Sequence, residues 1–450
     1  MARPGDPVTF VAPAISVQGA VAVPGDKSIS HRAVLLGAIC EGETVVRGFG
    51  WSADTASTVH AMRALGVGVE EEEADVLRIR GLGLQGLRAP EGPIDCGNAG
   101  TLVRLIAGIL VGQAGQQFEL CGDESLSSRP MERIADPLRR MGAGIETSNG
   151  HLPLGIDARP LGGIEYELPV ASAQVKSCVL LAGLFAGGET TVLEPVPTRD
   201  HTERMLRAAG ARLRARPGRI TVQPAARLRL GEVVVPGDIS SAAPLVLAAT
   251  LLPGSELIVT GVGVNSTRTG FLDVLERMGA RISLFNRRSA AGEPVADLEV
   301  THAELVATEV EPEEVPRLVD ELPLFVLAAS MAHGSSRVRG AAELRAKETD
   351  RIEAVVAGLR AAGAHVSGTR DGFRIRGVPT RPRGGRMSAA GDHRIAMLAA
   401  VCGLASRDGV QIEGAGTVAI SFPGFFDPSK PSPGGVDPRS TRKQVYEQAP

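Results

Sequence analysis

Aromatic side chains are scarce in this chain of 450 residues, which has one Trp, two Tyr and 3% aromatics in all. That leaves too few rings for the stacking platforms on which proteins hold single-stranded nucleic acid. An excess of one charge is missing too. Lys and Arg number 48 against 51 Asp and Glu, a net charge of −3, so there is no broad basic face for nucleic acid and any anion site must be local. No apolar run reaches the roughly 18 residues of a membrane span. The opening MARPGDPVTFVAP has neither a signal-peptide apolar core nor the Arg/Ser-rich character of a transit peptide. A cytoplasmic chain with no membrane partner is expected. The five cysteines (Cys40, Cys96, Cys121, Cys178, Cys402) are odd in number and show no CxxC spacing. They read as buried thiols, not as zinc ligands or disulfides.

Lysine is rarer still: only Lys27, Lys176, Lys347, Lys430 and Lys443 among the 48 basic residues. Arginine-rich coding explains the general bias, but it makes the three lysines ahead of the C-terminal stretch conspicuous. An ammonium is a compact charge that can give up its proton, which a guanidinium does not do. Several signatures are absent: GxxxxGK[ST], HExxH and GxSxG, and with them the usual marks of nucleotide hydrolysis, zinc proteolysis and α/β-hydrolase chemistry. Gly81-Leu82-Gly83-Leu84-Gln85-Gly86 does match GxGxxG. The Leu87-Arg88-Ala89-Pro90-Glu91-Gly92-Pro93 that follows cannot start a dinucleotide-binding helix, so the match reads as a turn.

The length predicts two domains, and internal repetition says how they are built. A Gly/Asp/Ser-rich turn opening a small-residue apolar helix occurs six times: PGDKSISHRAVLLGA, DCGNAGTLVRLIAG, VASAQVKSCVLLAG, PGDISSAAPLVLAA, LVDELPLFVLAAS and GDHRIAMLAAVCG. A second signature ends an amphipathic helix ahead of a strand at Gly66, Gly142, Gly210, Gly279 and Gly363, where glycine suits the helix C′ position. These read as six helix–strand–helix–strand repeats, the last cut short. The expected fold is α/β, with three repeats per domain around helices apolar nearly all round. The boundary is placed near Pro236, where the Pro-Gly-Asp of Pro24 recurs. The stretch 427–450, rich in Pro, Ser and charge, is expected to be a disordered tail.

The chemistry follows from the openers. The first turn of a helix carries free N–H groups and partial positive charge, a ready anion site. Lys27, Ser28 and Arg32 lie on such a turn, and Ser28 and Arg32 share a face. Asn98, Gly100 and Thr101 form another, with Gly100 letting the backbone approach an anion. Ser172, Ala173, Gln174 and Lys176 open a third; Lys176 reads as a solvated helix face. Arg394 follows Asp392 and His393 at the last. Arg129 and Arg199 lie in turns. LRAKETDR would put Lys347 and Arg351 on one face of a charged surface helix, with Glu348 one step round. Asp320 and Glu321 stand in an apolar run, a setting for carboxylates that handle protons. Converging cations with one or two carboxylates, and no triad or metal cluster, suit acid–base group transfer on phosphorylated, carboxylated small molecules.

PGDKSISHR, DCGNAGTLVR, SLSSRPM, ASAQVKS, TRDHTE, PGDISSAAPLVLAA, DELP, LRAKETDR, GDHRIAM and SFPGFF stand in an order that resembles the 5-enolpyruvylshikimate-3-phosphate (EPSP) synthase family over about residues 12–426. The resemblance implies an inside-out α/β barrel of the enolpyruvyl transferase kind. It implies two domains of three βαβαββ units, 1–24 plus 236–426 and 25–235, closing like a clam. It implies transfer of enolpyruvate from phosphoenolpyruvate to the 5-hydroxyl of shikimate 3-phosphate, with no cofactor or metal, and a monomer. Carried over by position, Lys27, Asp320 and Glu348 are catalytic. Lys27, Ser28, Arg32, Ser172, Ala173, Gln174, Arg199, Asp320 and Lys347 bind shikimate 3-phosphate. Lys27, Asn98, Gly100, Thr101, Arg129, Gln174, Arg351 and Arg394 bind phosphoenolpyruvate.

The chain departs from many relatives at Ile420 (in place of Lys), Ala173 (Ser) and Leu105 (Pro), differences that resemble the family's more divergent class. Gly100 stands where glyphosate-insensitive relatives tend to carry alanine, which implies inhibition by glyphosate. Two rivals remain at this point. One is the sister enzyme acting on a UDP-amino sugar, whose reactive cysteine has no counterpart between Asp123 and Ser128. The other is a non-catalytic anion-binding paralogue.

Overall fold

All six openers start helices: Lys27–Ile39, Gly100–Leu110, Ala173–Gly183, Ile239–Leu251, Leu322–Ser330 and His393–Ala405. The structure, a computed structural model, describes residues 8–426, so the Pro-rich stretch 427–450 read above as a disordered tail lies outside the described residues. Side chains fix four of the helix starts. Asp26 Oδ1 accepts from Ile29 N, Ser172 Oγ from Val175 N, Asp238 Oδ1 from Ser240 N and Asp392 Oδ1 from Arg394 N. At the other end of the repeats Gly66, Gly142, Gly210, Gly279 and Gly363 have φ between 88° and 108°, the left-handed turn that stops a helix ahead of a strand.

A helix without a polar face must be covered on every side. Every residue of Ile239–Leu251 and of Leu322–Ser330 is buried, as is Ile29–Ile39. The covering layers are six sheets on one plan. An edge strand pairs parallel with a central strand, which pairs antiparallel with the next. In the first, Glu232–Val234 is parallel to Glu41–Arg47, followed by Val76–Leu82 and Gly68–Glu73. Gln117–Cys121 and Thr190–Leu193 occupy the central place in the next two. Glu256–Gly263 and Ser335–Val338 occupy it in the fourth and fifth, with Gln18–Ala22 as the parallel partner of Glu256–Gly263. The sixth sheet has three strands, Val8–Val11 closing it beside Val410–Glu413. A strand from the start of the chain thus stands in the last, shortened repeat.

Two units result, each with its own apolar core. One comprises Gly25–Pro236 with the hairpin turn Ser289–Glu293; the other comprises the chain up to Pro24, Gly237–Arg288 and the chain from Pro294. Within the first unit Asp26 N donates to Pro236 O at 2.8 Å, and within the second Asp238 N donates to Pro24 O at 2.8 Å. Gly25 is obligatory at this step, since a Cβ there would lie 1.9 Å from Gly48 O. Among the described residues no helix is long and apolar enough to cross a membrane.

Candidate active site

In the unit containing Gly25–Pro236 the three central helices carry polar contacts in their N-terminal halves. Lys27 Nζ lies 2.8 Å from Asp54 Oδ2, on the first turn of Ala53–Ala64. Arg32 is buried. Its Nε donates to Thr202 Oγ1 at 2.7 Å, Nη1 to Ser28 O at 2.9 Å and Nη2 to Ser177 Oγ at 2.9 Å. Burial pushes the Arg32 guanidinium down to about 10 against the support of Glu203 and Asp26, and Arg199 adds to the fall. Beside it, His31 gives Nδ1 to a 2.6 Å contact with Thr58 Oγ1. Burial, with Lys27 and Arg32, holds the imidazole well below its ordinary value of 6.5.

Next to the start of Gly100–Leu110, Arg129 Nη2 donates to Asn98 Oδ1 at 2.7 Å and to Ser125 Oγ at 3.2 Å, while Asn98 Nδ2 donates to Asp123 Oδ2. Gln174 ties this group to the third helix. Its Nε2 donates to Thr101 Oγ1 at 3.0 Å, and its Oε1 accepts from Arg104 Nη1 at 2.7 Å. A Cβ on Gly100 would lie 2.8 Å from Arg104 Nη1 and 3.1 Å from Arg129 Nη1, so the missing side chain is the room these two cations occupy. Ala173 follows the capping Ser172 as the first residue of Ala173–Gly183.

Lys176 requires a correction. It is no solvated helix face: its side chain is 0% exposed, with Nζ 2.9 Å from Glu194 Oε2 and 2.7 Å from Glu203 Oε1. It also donates to Thr198 O at 3.3 Å. Two carboxylates and a carbonyl replace the water an ammonium would otherwise need, which is the condition for burying one. The lysine thereby fixes the segment carrying Arg199 against the helix carrying Ser172 and Gln174.

The second unit holds its own cluster at the start of Arg351–Ala361. Arg351 is buried with three carboxylates around it: Asp392 Oδ2 at 2.7 Å from Nε, Glu348 Oε2 at 2.6 Å from Nη2 and Asp320 Oδ1 at 3.3 Å from Nη1. Burial alone would weaken the cation, but the three carboxylates win and hold it above its ordinary range. Arg394 reaches Asp320 Oδ2 at 3.5 Å and Glu321 Oε1 at 3.4 Å. Lys347 is half-buried. Burial lowers its ammonium below the ordinary 10.5, with Asp320 and Glu343 opposing and Arg351 assisting.

Here a second expectation fails. Lys347 and Arg351 do not share a helical face. The 3₁₀ turn Ala342–Ala346 ends at an extended Lys347, and the next helix begins only at Arg351, capped by Asp350. Asp350 Oδ1 takes the N–H groups of Ile352 and Glu353, and that cap starts the helix later than charge spacing alone suggests.

Several residues at these clusters went unread in the sequence. Arg104 lies one turn beyond Gly100, a spacing that signals a shared face. Glu203 was inside TRDHTE, but nothing in its spacing to Lys176 announced a pair. Arg268 donates to Ser240 Oγ at 2.7 Å and reaches Asp238 Oδ1 at 3.3 Å, and Ser240 in turn donates to Glu321. That buried chain joins segments far apart in sequence, which no local pattern reveals.

Known proteins resemble the chain along almost its whole length. A model of the EPSP synthase family (3-phosphoshikimate 1-carboxyvinyltransferase) matches residues 11–428. A 3-phosphoshikimate 1-carboxyvinyltransferase of Acidithiobacillus ferrooxidans is 51% identical over 418 residues, 92% of this chain and 95% of the relative. One of Citrifermentans bemidjiense is 49% identical over 421 residues, covering 93% and 97%. Among solved structures, EPSP synthase from Acinetobacter baumannii superposes with a TM-score of 0.82 at 42% identity, covering 93% of this chain and 96% of that one. The enolpyruvyl transferase NikO of Streptomyces tendae shares the fold at 19% identity, with a TM-score of 0.77 over 94% and 97% of the two chains. With half of its residues unchanged over nine-tenths of its length, this chain belongs to the EPSP synthase family of transferases.

Proposed function

We propose that the chain transfers the enolpyruvyl group of phosphoenolpyruvate to the 5-hydroxyl of shikimate 3-phosphate, releasing phosphate, on the route to the aromatic amino acids. The observation that carries this reading is the grouping of Asp320, Glu348, Arg351 and the weakened Lys347 ammonium, a set able to give and take protons beside a fixed cation. Glu348, as the acid, protonates C3 of phosphoenolpyruvate, and positive charge builds at C2. The 5-hydroxyl oxygen attacks C2, its proton passing to Asp320 with Lys347 alongside. The tetrahedral intermediate then loses a proton from C3 to Glu348 and breaks its C2–O bond to phosphate. Product and inorganic phosphate leave.

Both substrates are heavily anionic, which accounts for the cations. Ser28, Arg32, Ser172, Ala173, Gln174, Arg199 and Lys347 would bind shikimate 3-phosphate, Arg32 through the N–H groups left over from Ser28, Ser177 and Thr202. Asn98, Gly100, Thr101, Arg129, Gln174, Arg351 and Arg394 would bind phosphoenolpyruvate, and Lys27 would contact both substrates. The bidentate guanidinium suits phosphate and carboxylate alike. Glyphosate is assigned as an inhibitor competing with phosphoenolpyruvate, and the enzyme as a cytoplasmic monomer.

The test is phosphate release by the purified full chain given phosphoenolpyruvate and shikimate 3-phosphate, with product mass confirming the enolpyruvyl ether. No release with this acceptor, or release only with a UDP-amino sugar, would refute the assignment.

A further inference from the structure

The outer face of the sheet centred on Ser335–Val338 differs from its counterparts. Arg337 stands directly opposite Arg374 on Gly372–Arg376, and Arg376 is flanked by Ser335 and His365. Like charges directly opposed across an antiparallel pair are destabilising. Arg216 and Arg219 are opposed in the same way on another sheet, but there Arg219 has a carboxylate partner in Glu165. On the sheet around Val76–Leu82, Arg78 pairs with Glu43 at 2.8 Å and Glu72 at 2.6 Å, and Arg80 with Glu70 at 3.1 Å. On the sheet around Arg219–Val222, Arg219 pairs with Glu165 and Arg214 with Glu189, each at 2.6 Å.

The arginine row of the Ser335–Val338 sheet has no such partners. Among the described residues no carboxylate lies within ion-pair distance of Arg337, Arg360, Arg374 or Arg376, and the nearby Glu309 is taken by Arg339 at 3.1 Å. Arg337 Nε is buried with no hydrogen-bond acceptor. Together with His365 these four arginines line an open concavity of about 570 Å³, which Glu309, opposite Arg337 on the parallel edge strand, also borders.

We infer that this concavity is a second anion site, taking the phosphate group of a small phosphate-bearing molecule. Guanidinium forks from neighbouring strands match phosphate oxygens in pairs, and the hydroxyl of Ser335 adds a donor on the same rows. The volume exceeds that of a bare ion and falls in the range of ligand pockets. The site is separate from the cluster around Arg351. Arg360 lies nine residues along the same helix, about 14 Å down its axis at 1.5 Å per residue. The inference does not depend on the reaction proposed above.

The test titrates the full chain calorimetrically with inorganic phosphate and with glycerol 3-phosphate at low ionic strength. Binding at this face is expected to persist in Arg394→Gln and to weaken at least tenfold in Arg337→Gln/Arg374→Gln. Tighter binding of the ester than of phosphate assigns an organic phosphate as ligand; equal binding assigns the free ion. Arg374→Gln alone should raise the melting temperature in phosphate-free buffer and lessen its rise on adding phosphate. Turnover without added ligand should be unchanged in the double variant. Undiminished phosphate binding by that variant would overturn the inference, and so would loss of turnover. Should the variant not fold, wild-type crystals soaked in tungstate decide: heavy-atom density between Arg337 and Arg374 supports the site, and its absence there overturns it.

Discussion

Lys176 Nζ sits 2.7 Å from Glu203 Oε1, with side-chain exposures of 0% and 3%, and a second carboxylate, Glu194, approaches at 2.9 Å. Removing the cation strands two buried carboxylates. Lys176→Met is therefore expected to cost about 3–5 kcal/mol of stability. Pairing it with Glu203→Gln should recover part of the loss. Chemical denaturation of the three proteins checks this, and additive effects would show that the contact is not coupled.

His31 makes folding sensitive to acid. Its folded-state value is depressed, so the folded protein keeps it neutral while an unfolded chain takes up a proton below about 6.5. Stability is therefore lost as pH falls through that value, by about 1.4 kcal/mol per pH unit for this one group. His31→Asn should flatten the pH dependence of the denaturation midpoint between about pH 6.5 and 5. An unchanged slope would place the sensitivity elsewhere.

At Lys347 the sign runs the other way with pH. Its folded value lies below 10.5, so stability rises as pH climbs through the folded value towards the unfolded one. At neutral pH the half-buried ammonium is a cost. Lys347→Met should melt higher than the wild type at pH 7, lose that advantage as pH nears the unfolded value, and turn over at least about 10²-fold more slowly. A variant that melts lower at pH 7, or that retains normal turnover, would contradict this.

Glu348→Gln keeps the shape and removes the acid. Arg351 retains Asp392 and Asp320, so the fold should stand while kcat falls by about 10²–10⁴. Normal rates would take the proton-transfer role away from Glu348.

Gly100→Ala presses a methyl group against the guanidinium ends of Arg104 and Arg129. Those ends can shift, so stability should change little. The KM for phosphoenolpyruvate should rise about tenfold, ~1.4 kcal/mol, and glyphosate inhibition should weaken with it. Unaltered inhibition would remove glyphosate from this part of the chain.

The repeats were legible because they rest on local physics. Helix starts at Asp26, Asp238 and Asp392, glycine stops such as Gly279, and helices without a polar face all follow from neighbouring residues. The charged residues of the site were legible as types, at helix starts and in turns. Their pairings were not. Lys176 with Glu203, Arg351 with Asp392 and Arg268 with Ser240 each join segments whose approach is decided by tertiary packing. The delayed helix at Arg351 was missed for a different reason. The charge spacing suits a helix from Lys347, while the Asp350 cap, a stronger local signal, fixes the start at Arg351.

The hydrogen bond from Asp26 N to Pro236 O brings together the points where the chain enters and leaves the Gly25–Pro236 unit. The described ends of the chain, Val8 and Phe426, both lie in the other unit. Tension applied from the N-terminal side therefore has to strip Val8–Val11 and Gln18–Ala22 from their sheets in the discontinuous unit before it reaches Gly25. The inserted half is not the first part of the chain to feel such a pull.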